Sequence, residues 1–341
     1  MTGRQRFLAA AQLKPVDTTP VWFMRQAGRS LPEYRALRER HDFMTVATTP
    51  ELASQATLMP VDRLGVDAAV LFADIMLPLA CIGVPFEIRP GVGPVIAAPI
   101  RSAADVDRLS LVPAREATPY VMETLRLTKG TLGDRAALLG FAGAPFTLAC
   151  YLIEGRPARE FPKAKALMYG QPDLWHRLME RLTLVTVDYL QAQIAAGADA
   201  VQLFDSWLGL LDPISHAAMV LPYTRRIFAE VGPLAPTIHF STGSASLLEE
   251  IASSGCDAVS VDWRLPLDVA WKRLGPHVAI QGNLDPALVL APWPAVAAGV
   301  HDVLQRAGGR AGHIFNLGHG ILPESDPETL ARIVGLVHGE A

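Results

Sequence analysis

The amino-acid sequence predicts an α/β fold, a (β/α)8 barrel of the TIM type. Short apolar runs alternate along the chain with segments of helical period, and this alternation is typical of a parallel sheet buried on both faces. Several predicted helices begin with aspartate followed by proline, which are favoured at the cap and at the first helical position. These pairs are Asp212-Pro213, Asp285-Pro286 and Asp326-Pro327.

The predicted strands are short runs rich in β-branched and aromatic residues. In chain order they are 21–24, 68–73, 137–143, 200–204, 237–241, 258–263, 278–282 and 313–318. The predicted helices are 51–64, 117–130, 172–196, 213–230, 244–254, 266–274, 286–307 and 327–338. Equal numbers of strands and helices favour a closed barrel, and a doubly wound open sheet is the alternative.

We expect residues 1–341 to form one barrel domain, because neither a low-complexity linker nor a change in composition divides the chain. The irregular stretch 75–112 is too long for an ordinary connection between a strand and a helix. It predicts an inserted loop or hairpin after the second strand. A domain boundary within 75–112 is the alternative.

The charge balance limits the partners of the protein. The net charge is −4 and only five of the 30 basic residues are lysine, so a polybasic stripe that could neutralise nucleic acid is not expected. The apolar stretches 75–86 and 287–300 each contain two prolines and are shorter than the roughly 18 residues of a membrane span. We therefore expect neither a nucleic-acid nor a membrane partner.

The cysteines indicate the compartment. Cys81, Cys150 and Cys256 are far apart in the sequence and show neither paired nor metal-binding spacing. This usage fits a reducing, cytoplasmic environment.

Polar residues follow most of the predicted strands, and in a barrel the chemistry lies at the carboxyl ends of the strands. We therefore expect these residues to meet at one mouth. They are Arg25 with Arg29, Asp74, Tyr151, Asp205 with Ser206, Ser241, Asp262, Asn283 with Asp285, and His319.

Asp74 carries the strongest functional signal. It ends an apolar strand and is followed by the apolar segment IMLPLACIG, where an unpaired carboxylate is unfavourable to ionise. We expect it to face a cation or a ligand that donates hydrogen bonds. Arg25 and Arg29 offer planar forks that match carboxylates.

Structural roles compete with functional ones at several of these positions. Asp285 fits a helix cap, and Asp205 and Asp262 fit capping or supporting roles as well as they fit a site. Tyr151 fits a core tyrosine with a solvated hydroxyl. His319 fits a loop histidine, although the glycines on both sides of it would let a ligand approach closely.

Several familiar chemistries lack their motif. No lysine follows a predicted strand, as a Schiff-base enzyme would need, and zinc or dinucleotide motifs are missing. We expect no metal and no cofactor, although His239, Asp262 and His319 remain a conceivable ligand set. The segment NLGHG at 316–320 keeps a phosphorylated substrate open, because many barrels bind phosphate there.

Two longer segments closely resemble the signature segments of the uroporphyrinogen decarboxylase family. They are PVWFMRQAGRSLPEYR at 20–35 and GFAGAPFTLACYLIEG at 140–155. The shorter motifs FADI, QLFDSW, VDW, QGNLDP and NLGHG follow in the family's order, so the resemblance covers essentially the whole chain. Arg156 and Phe146 depart from the family's usual glycine and tryptophan, and neither is a site residue.

The resemblance implies a cofactor-free barrel enzyme, usually a homodimer, that removes CO2 from the four acetate side chains of uroporphyrinogen III to give coproporphyrinogen III. It implies catalytic roles for Asp74, Arg25 and Tyr151, and leaves the proton donor open among Arg25, Asp74 acting through water, and Tyr151. The implied substrate-binding residues are Arg25, Gln26, Ala27, Gly28, Arg29, Asp74, Phe141, Tyr151, Phe204, Ser206 and His319.

Two other functions are weighed against this one. Zinc-dependent corrinoid or thiol methyltransferases share the barrel, but they bind zinc through His-x-Cys, and here Ser241 stands two positions after His239. A non-catalytic tetrapyrrole carrier would need the apolar pocket without the combination of Asp74 and the arginines.

Overall fold

A parallel sheet of seven strands lies at the centre of the protein, whose computed structural model describes residues 1–89 and 91–340. The strands in chain order are β1 (Ala68–Val70), β2 (Glu87–Arg89), β3 (Gly93–Val95), β4 (Ala137–Gly143), β5 (Ala200–Asp205), β6 (Thr237–Ser241), β7 (Ala258–Ser260), β8 (Ala279–Gln281) and β9 (His313–Ile314). The sheet order is β1-β4-β5-β6-β7-β8-β9. Within this sheet the strands lie side by side in the order in which they occur in the chain, so the sheet curls in one direction as in a barrel.

The helices surround this sheet. They are α1 (Gly3–Ala11), α2 (Pro32–Arg40), α3 (Phe43–Thr48), α4 (Pro50–Leu64), α5 (Ala103–Asp107), α6 (Ala114–Ala117), α7 (Pro119–Leu132), α8 (Pro145–Glu154), α9 (Pro162–Gly170), α10 (Pro172–Ala195), α11 (Pro213–Met219), α12 (Leu221–Val231), α13 (Leu248–Ala252), α14 (Leu267–Leu274), α15 (Trp293–Ala307) and α16 (Pro327–His338). Short 3-10 helices of three to six residues occupy Leu77–Ile82, Leu208–Leu210, Ala245–Leu247 and Pro286–Leu290.

The predicted helix starts are confirmed in atomic detail. Asp212 accepts hydrogen bonds from the backbone N–H of Ile214 and Ser215, both at 3.0 Å. Asp285 and Asp326 make the same kind of contact at the starts of the turn at Pro286–Leu290 and of α16. Asp285 is therefore the helix cap that its position before proline favours.

Proline divides two of the predicted helices. The segment 213–230 forms α11 and α12, which separate at Val220 just before Pro222, and 286–307 divides before Pro292 and α15. Proline has no N–H to continue the helix ladder, so the chain restarts a helix there. By contrast, α10 and α16 match the predictions to within one residue.

The predicted strand 21–24 is the main correction to the expected sheet. It forms a single parallel bridge, between Val21 and Phe315, and no extended strand. The Val21 carbonyl accepts a hydrogen bond from Asp67 N at 2.8 Å next to β1, and Phe315 N donates to Pro20 O at 2.8 Å after β9. The segment 20–22 therefore contacts both edges of the seven-stranded sheet.

Aspartates at the start of three strands fasten neighbouring strands together. The carboxylates of Asp67, Asp199 and Asp257 each accept a hydrogen bond from a backbone N–H of the preceding segment, at 2.8, 2.9 and 2.7 Å. The donors are Val21, Leu138 and Thr237 in that order. The backbone N–H of each aspartate in turn donates a hydrogen bond to the backbone carbonyl of its donor residue. We call these three contacts the aspartate clamps.

A series of buried side-chain hydrogen bonds crosses the inside of the curled sheet. Trp22 Nε1 donates to Gln281 Oε1 at 2.9 Å, and Gln281 Nε2 donates to Gln202 Oε1 at 3.0 Å. These hydrogen bonds link the segment 20–22 with β8 and β5. Buried amides of this kind are stable because each finds a partner.

The stretch 75–112 contains the antiparallel pair β2–β3. Just after β3, Ile96 N donates a hydrogen bond to Gly155 O at 2.8 Å, so the pair is anchored beside the end of α8. Within residues 1–89 and 91–340, no helix has the length and apolar character needed to cross a membrane.

Candidate active site

A cavity of about 630 Å³ opens at the carboxyl ends of β1, β4, β5 and β6. This size falls within the roughly 300–1,000 Å³ typical of small-molecule sites. Its lining includes all but one of the substrate-binding residues that the family resemblance implies, namely Arg25, Ala27, Gly28, Arg29, Asp74, Phe141, Tyr151, Phe204, Ser206 and His319. Residues far apart in the chain are thus gathered in one place, as barrel topology predicts.

The backbone of Arg25 is held in an unusual conformation. Its φ of 61° lies in the left-handed region, which is unfavourable for a residue with a side chain. The neighbouring Gln26 is fully buried, accepts a hydrogen bond from Phe23 N at 3.0 Å and donates one to Ala68 O at 2.9 Å. Gln26 therefore fastens the turn that carries Arg25 to β1, and its side chain is the predicted site group that the structure does not bring into the cavity.

Three arginines contribute positive charge to the cavity. Neither Arg25 nor Arg29 forms an ion pair with a carboxylate within 4.0 Å among the described residues. Arg38 is the third, and its guanidinium lies 5.7 Å from the centre of the Phe43 ring. Guanidinium groups without a carboxylate partner are suited to bind the carboxylates of a ligand.

Asp74 lies deep in the cavity and keeps part of its surface open to it. Its Oδ1 accepts a hydrogen bond from Met76 N at 2.9 Å. Burial raises the pKa of this carboxyl above its usual 3.8, while the Met76 N–H and the nearby Arg25 charge act in the opposite direction. Within the described chain, no cation lies close enough to Asp74 to form an ion pair, so its ionised form would gain from a ligand that donates hydrogen bonds.

Tyr151 projects from α8 toward the cavity. Its ring packs edge-on against Phe161 at 5.7 Å and against Trp207 at 6.2 Å. Burial raises the pKa of its hydroxyl to about 12, so the group stays protonated at ordinary pH. Tyr151 can therefore donate a hydrogen bond and is not a base.

Aromatic rings form the apolar wall. Phe204 lies between Phe141 and Phe240, with ring centres 5.4 and 5.2 Å apart, and Phe240 contacts His319 at 5.9 Å. Such rings offer a flat apolar surface to a ligand. The wall therefore suits a large ring system that also carries charged groups.

His319 is held in one tautomer. Its Nδ1 accepts a hydrogen bond from Gly320 N at 2.7 Å, so the proton of the neutral ring resides on Nε2. Burial, followed by the charge of Arg25, lowers the pKa of His319 to about 4. At neutral pH the side chain is therefore an uncharged donor.

Other residues expected at the mouth have structural partners. Asp205 is buried and accepts a hydrogen bond from Thr147 Oγ1 at 2.9 Å, and Asp262 is paired with Arg264 at 2.7 Å. Asn283 donates to the carbonyls of Asp262 and Leu265. Among residues 1–89 and 91–340, His, Cys, Asp and Glu side chains form no group of three placed to hold a metal ion.

Sequence reasoning missed part of the wall that comes from α2 and α3. Tyr34 and Arg38 of α2 and Phe43 of α3 line the cavity, and the rings of Tyr34 and Phe43 each lie 5.4 Å from the ring of Phe72, which follows β1. Arg38 follows Tyr34 by one helical turn, so both occupy one face of α2. The aromatic and basic residues just after Arg29 were the available signal.

The curled parallel sheet, with a cationic and aromatic cavity at its carboxyl edge, defines a barrel-type α/β protein with a small-molecule pocket. The family profile described as Uroporphyrinogen decarboxylase (URO-D) matches residues 2–340. This chain belongs to the uroporphyrinogen decarboxylase family.

Curated relatives agree with this assignment. A protein of Thermobifida fusca named "Uroporphyrinogen decarboxylase" is 54% identical over 334 residues, which are 97% of this chain and 92% of the relative. One of Roseiflexus with the same name is 50% identical over 339 residues, covering 98% and 97% of the two chains. Among solved structures, a methyltransferase from Methanosarcina mazei has a TM-score of 0.81 at 20% identity, covering 99% of this chain and 98% of its own, and this likeness shows the fold alone.

Proposed function

We propose that this protein is a carboxy-lyase that removes CO2 from the four acetate side chains of uroporphyrinogen III and yields coproporphyrinogen III. The observation that carries the proposal is an Asp74 carboxylate without a cationic partner, facing a cavity that holds three arginines, in a member of this family. The curated relatives' names favour this function over a zinc-dependent methyltransferase.

The reaction needs an electron sink, and the pyrrole ring becomes one when its α-carbon is protonated. The electron pair of the bond to the carboxylate then moves into the cationic ring, and CO2 leaves. A proton adds to the resulting methylene carbon to give the methyl group, and the ring loses the proton that it gained first. In the balance, one proton replaces each CO2.

Asp74 would act on the cationic intermediate. An ionised carboxylate beside the pyrrole N–H groups accepts their hydrogen bonds and attracts the ring more strongly once it is positive. At an effective dielectric constant near 20, two unit charges about 4 Å apart interact by about 4 kcal/mol, which corresponds to roughly a thousandfold in rate. The elevated pKa of Asp74 supports this role, because a carboxylate that is poorly stabilised in the free protein gains more from the substrate.

The arginines would hold carboxylates of the substrate and set its register. Arg25, Arg29 and Arg38 line the same cavity, and the protein as a whole carries a net charge of −4, so local cations must offset the charge of a polyanionic ligand. Tyr151, Ser206 and the neutral His319 would add hydrogen bonds, while Phe141 and Phe204 would contact the ring faces. The proton donor stays open between Arg25, Asp74 acting through water, and Tyr151.

We also propose that residues 1–341 form one closed (β/α)8 barrel. The segment 20–22 would complete it by lying between β9 and β1, the two edge strands of the seven-stranded sheet. The clamp between Asp67 and Val21 supports this, because it repeats the contact that Asp199 and Asp257 make with regular strands of the sheet. The buried hydrogen bond from Trp22 to Gln281 supports it as well.

The stretch 75–112 is proposed to be an insertion that closes over the bound substrate. Ile88 of β2 and Pro94 of β3 line the cavity, which supports this role. Binding of a porphyrin octacarboxylate should then slow amide hydrogen exchange at 87–89 and 93–95 while leaving exchange in α16 unchanged. Equal exchange at β2 and β3 with and without ligand would contradict it.

A cytoplasmic homodimer is the assembly that we propose. Three buried free cysteines support a reducing compartment.

The proposed dimer would use an exposed apolar surface. Tyr169 and Ile214 are 53% and 82% exposed, and Tyr169 contacts Ser215 beside Ile214, so apolar surface is available for a second copy. Sedimentation should give twice the mass of one chain, and a monomer at micromolar concentration would contradict the proposal.

The proposed activity is tested by incubating the purified protein, with a metal chelator and without air, with uroporphyrinogen III. We expect four CO2 for each substrate molecule and the appearance of coproporphyrinogen III. Inertness toward this substrate, or loss of activity that added zinc restores, would contradict the proposal. The Asp134→Asn variant should keep full activity as a control, because Asp134 is exposed and pairs with Arg4 at the end of the sheet opposite to the cavity.

A further inference from the structure

Gly320 lies directly beneath the side chain of Arg25. A Cβ atom at position 320 would lie 2.5 Å from Arg25 Cδ, 2.8 Å from its Cγ and 3.1 Å from its Nε. These are the three nearest heavy atoms that such a Cβ would meet, and all belong to one side chain. Contacts under about 3 Å between carbon atoms lie well inside the optimal separation of roughly 3.5–4.0 Å.

Position 320 therefore needs glycine because any larger residue would collide with the side chain of Arg25. Gly320 is absent from the residues with positive φ, so alanine would fit its backbone conformation. Its N–H donates to His319 Nδ1, and that hydrogen bond would remain in an alanine variant. The space above Gly320 is what a methyl group would remove.

The rest of Arg25 cannot readily move to make room. Its backbone adopts φ 61° in a turn that the buried Gln26 fastens at Phe23 N and Ala68 O. A second contact joins the two loops, because Ile321 N donates to Met24 O at 2.9 Å. A methyl group at 320 would therefore displace the flexible part of the side chain, including the guanidinium.

We propose that Gly320 is a positioning residue that sets where the Arg25 guanidinium stands in the cavity. The effect of Gly320 on the position of the guanidinium does not depend on the proposed function, whereas its effect on substrate binding rests on it. Gly320 itself lines the cavity, and in this account its effect on the site is exerted through Arg25. Without the glycine, the guanidinium would leave the position in which it can form two parallel hydrogen bonds to a carboxylate.

The first test needs no substrate and uses thermal melts of four full-length proteins: the unchanged protein, Gly320→Ala, Arg25→Ala and the double variant. We expect Gly320→Ala to lower the melting temperature, and the same change in the Arg25→Ala background to have no effect, since the clash partner is gone. Equal losses in both backgrounds would overturn the inference, and so would no loss in either.

The second test measures binding of uroporphyrin III, the oxidised octacarboxylate porphyrin, by quenching of protein fluorescence. Gly320→Ala should raise the Kd about tenfold or more, the scale expected when a charge-assisted hydrogen bond is lost. In the Arg25→Ala background the same substitution should change the Kd by less than about twofold, because the two residues act as a unit. A tenfold loss in both backgrounds would overturn the inference.

Gly130→Ala is the matched control. Gly130 is an exposed residue of α7, and a Cβ there would meet nothing within 4 Å. It should leave the Kd unchanged. Failure of the unchanged protein to bind uroporphyrin III would count against the proposed function, while the melts would still decide the role of Gly320.

Discussion

At the scale of single residues, the site depends on the strained turn at Arg25. A left-handed conformation at a residue with a side chain is unfavourable by about 1–2 kcal/mol and persists only where its surroundings enforce it. Gln26 supplies that enforcement through two buried hydrogen bonds to backbone groups. Gln26 therefore holds the backbone of the turn, while the neighbouring Arg25 lines the cavity.

Replacing Gln26 with alanine should lower the free energy of unfolding by about 2–4 kcal/mol, because it leaves the N–H of Phe23 and the carbonyl of Ala68 buried without partners. It should also weaken binding of uroporphyrin III. Urea unfolding followed by circular dichroism measures the first effect, and fluorescence quenching the second. Gln305→Ala, at an exposed position of α15, is the control, and equal stability of the two variants would contradict the role of Gln26.

Most of the site was predictable from sequence because its residues follow strands, and the barrel rule places strand ends together. Asp74, Tyr151 and His319 were found in this way. The role of Gln26 was not, because a family motif gives residue identity without side-chain direction. Arg38 was missed because α2 was not predicted, so Tyr34 and Arg38 were not recognised as neighbours on one helix face.

At the scale of elements, the aspartate clamps hold the sheet at the end opposite to the cavity. The repeated order of glycine, aspartate and apolar run at 197–203 and 255–261 was visible in the sequence, and its purpose was not. Each carboxylate satisfies a backbone N–H that the short ladder leaves without a strand partner. The clamp of Asp67 also receives Arg6 at 3.3 Å and His338 at 2.8 Å, so it links α1, β1 and α16.

The variant Asp67→Ala should lose about 3 kcal/mol or more of unfolding free energy, because Val21 N is orphaned and two basic groups lose a buried partner. Asp17→Ala removes the other partner of Arg6 at an exposed position and should lose less than about 1 kcal/mol. Chemical unfolding of both variants in parallel checks the difference. Similar losses would show that the clamp adds nothing beyond a surface ion pair.

Strand lengths show why the sequence over-predicted the sheet. The predicted strands 68–73 and 258–263 extend three residues beyond the observed strand ends, Val70 and Ser260. Leu71 N still donates to Leu139 O of β4 at 2.9 Å, after which the chain leaves the ladder, and Leu71, Phe72 and Asp74 line the cavity. Apolar pattern alone cannot distinguish a residue that faces the core from one that faces an apolar ligand site.

At the scale of the whole molecule, the protein keeps several imidazoles neutral inside. Burial lowers the pKa of His216, His313 and His319 to about 4 in each case, from an ordinary 6.5. The unfolded chain therefore binds more protons than the folded protein between pH 6.5 and 4. The free energy of unfolding is fully present above this window and falls as the pH falls through it.

The variant His313→Gln should flatten this loss of stability, because one buried imidazole no longer favours the unfolded state at acidic pH. The contribution of a single site is a few kcal/mol between pH 6.5 and 4, since one pKa unit corresponds to about 1.4 kcal/mol. Urea unfolding at a series of pH values measures it. His301→Gln, at an exposed position of α15, should leave the slope unchanged, and an unchanged slope in His313→Gln would refute the assignment.

The central claim is that the Asp74 carboxylate acts on the cationic ring and not on the fold. Burial raises the pKa of Asp74, so the ionised carboxylate destabilises the folded protein when no ligand is bound. Asp74→Asn should therefore leave the melting temperature unchanged or higher. Single-turnover release of CO2 from uroporphyrinogen III by this variant is the most direct measurement, with Asp134→Asn alongside. We predict a loss of about a thousandfold or more in Asp74→Asn with the fold intact and unchanged turnover in the control. Release of CO2 by Asp74→Asn within about tenfold of the unchanged protein would contradict the account.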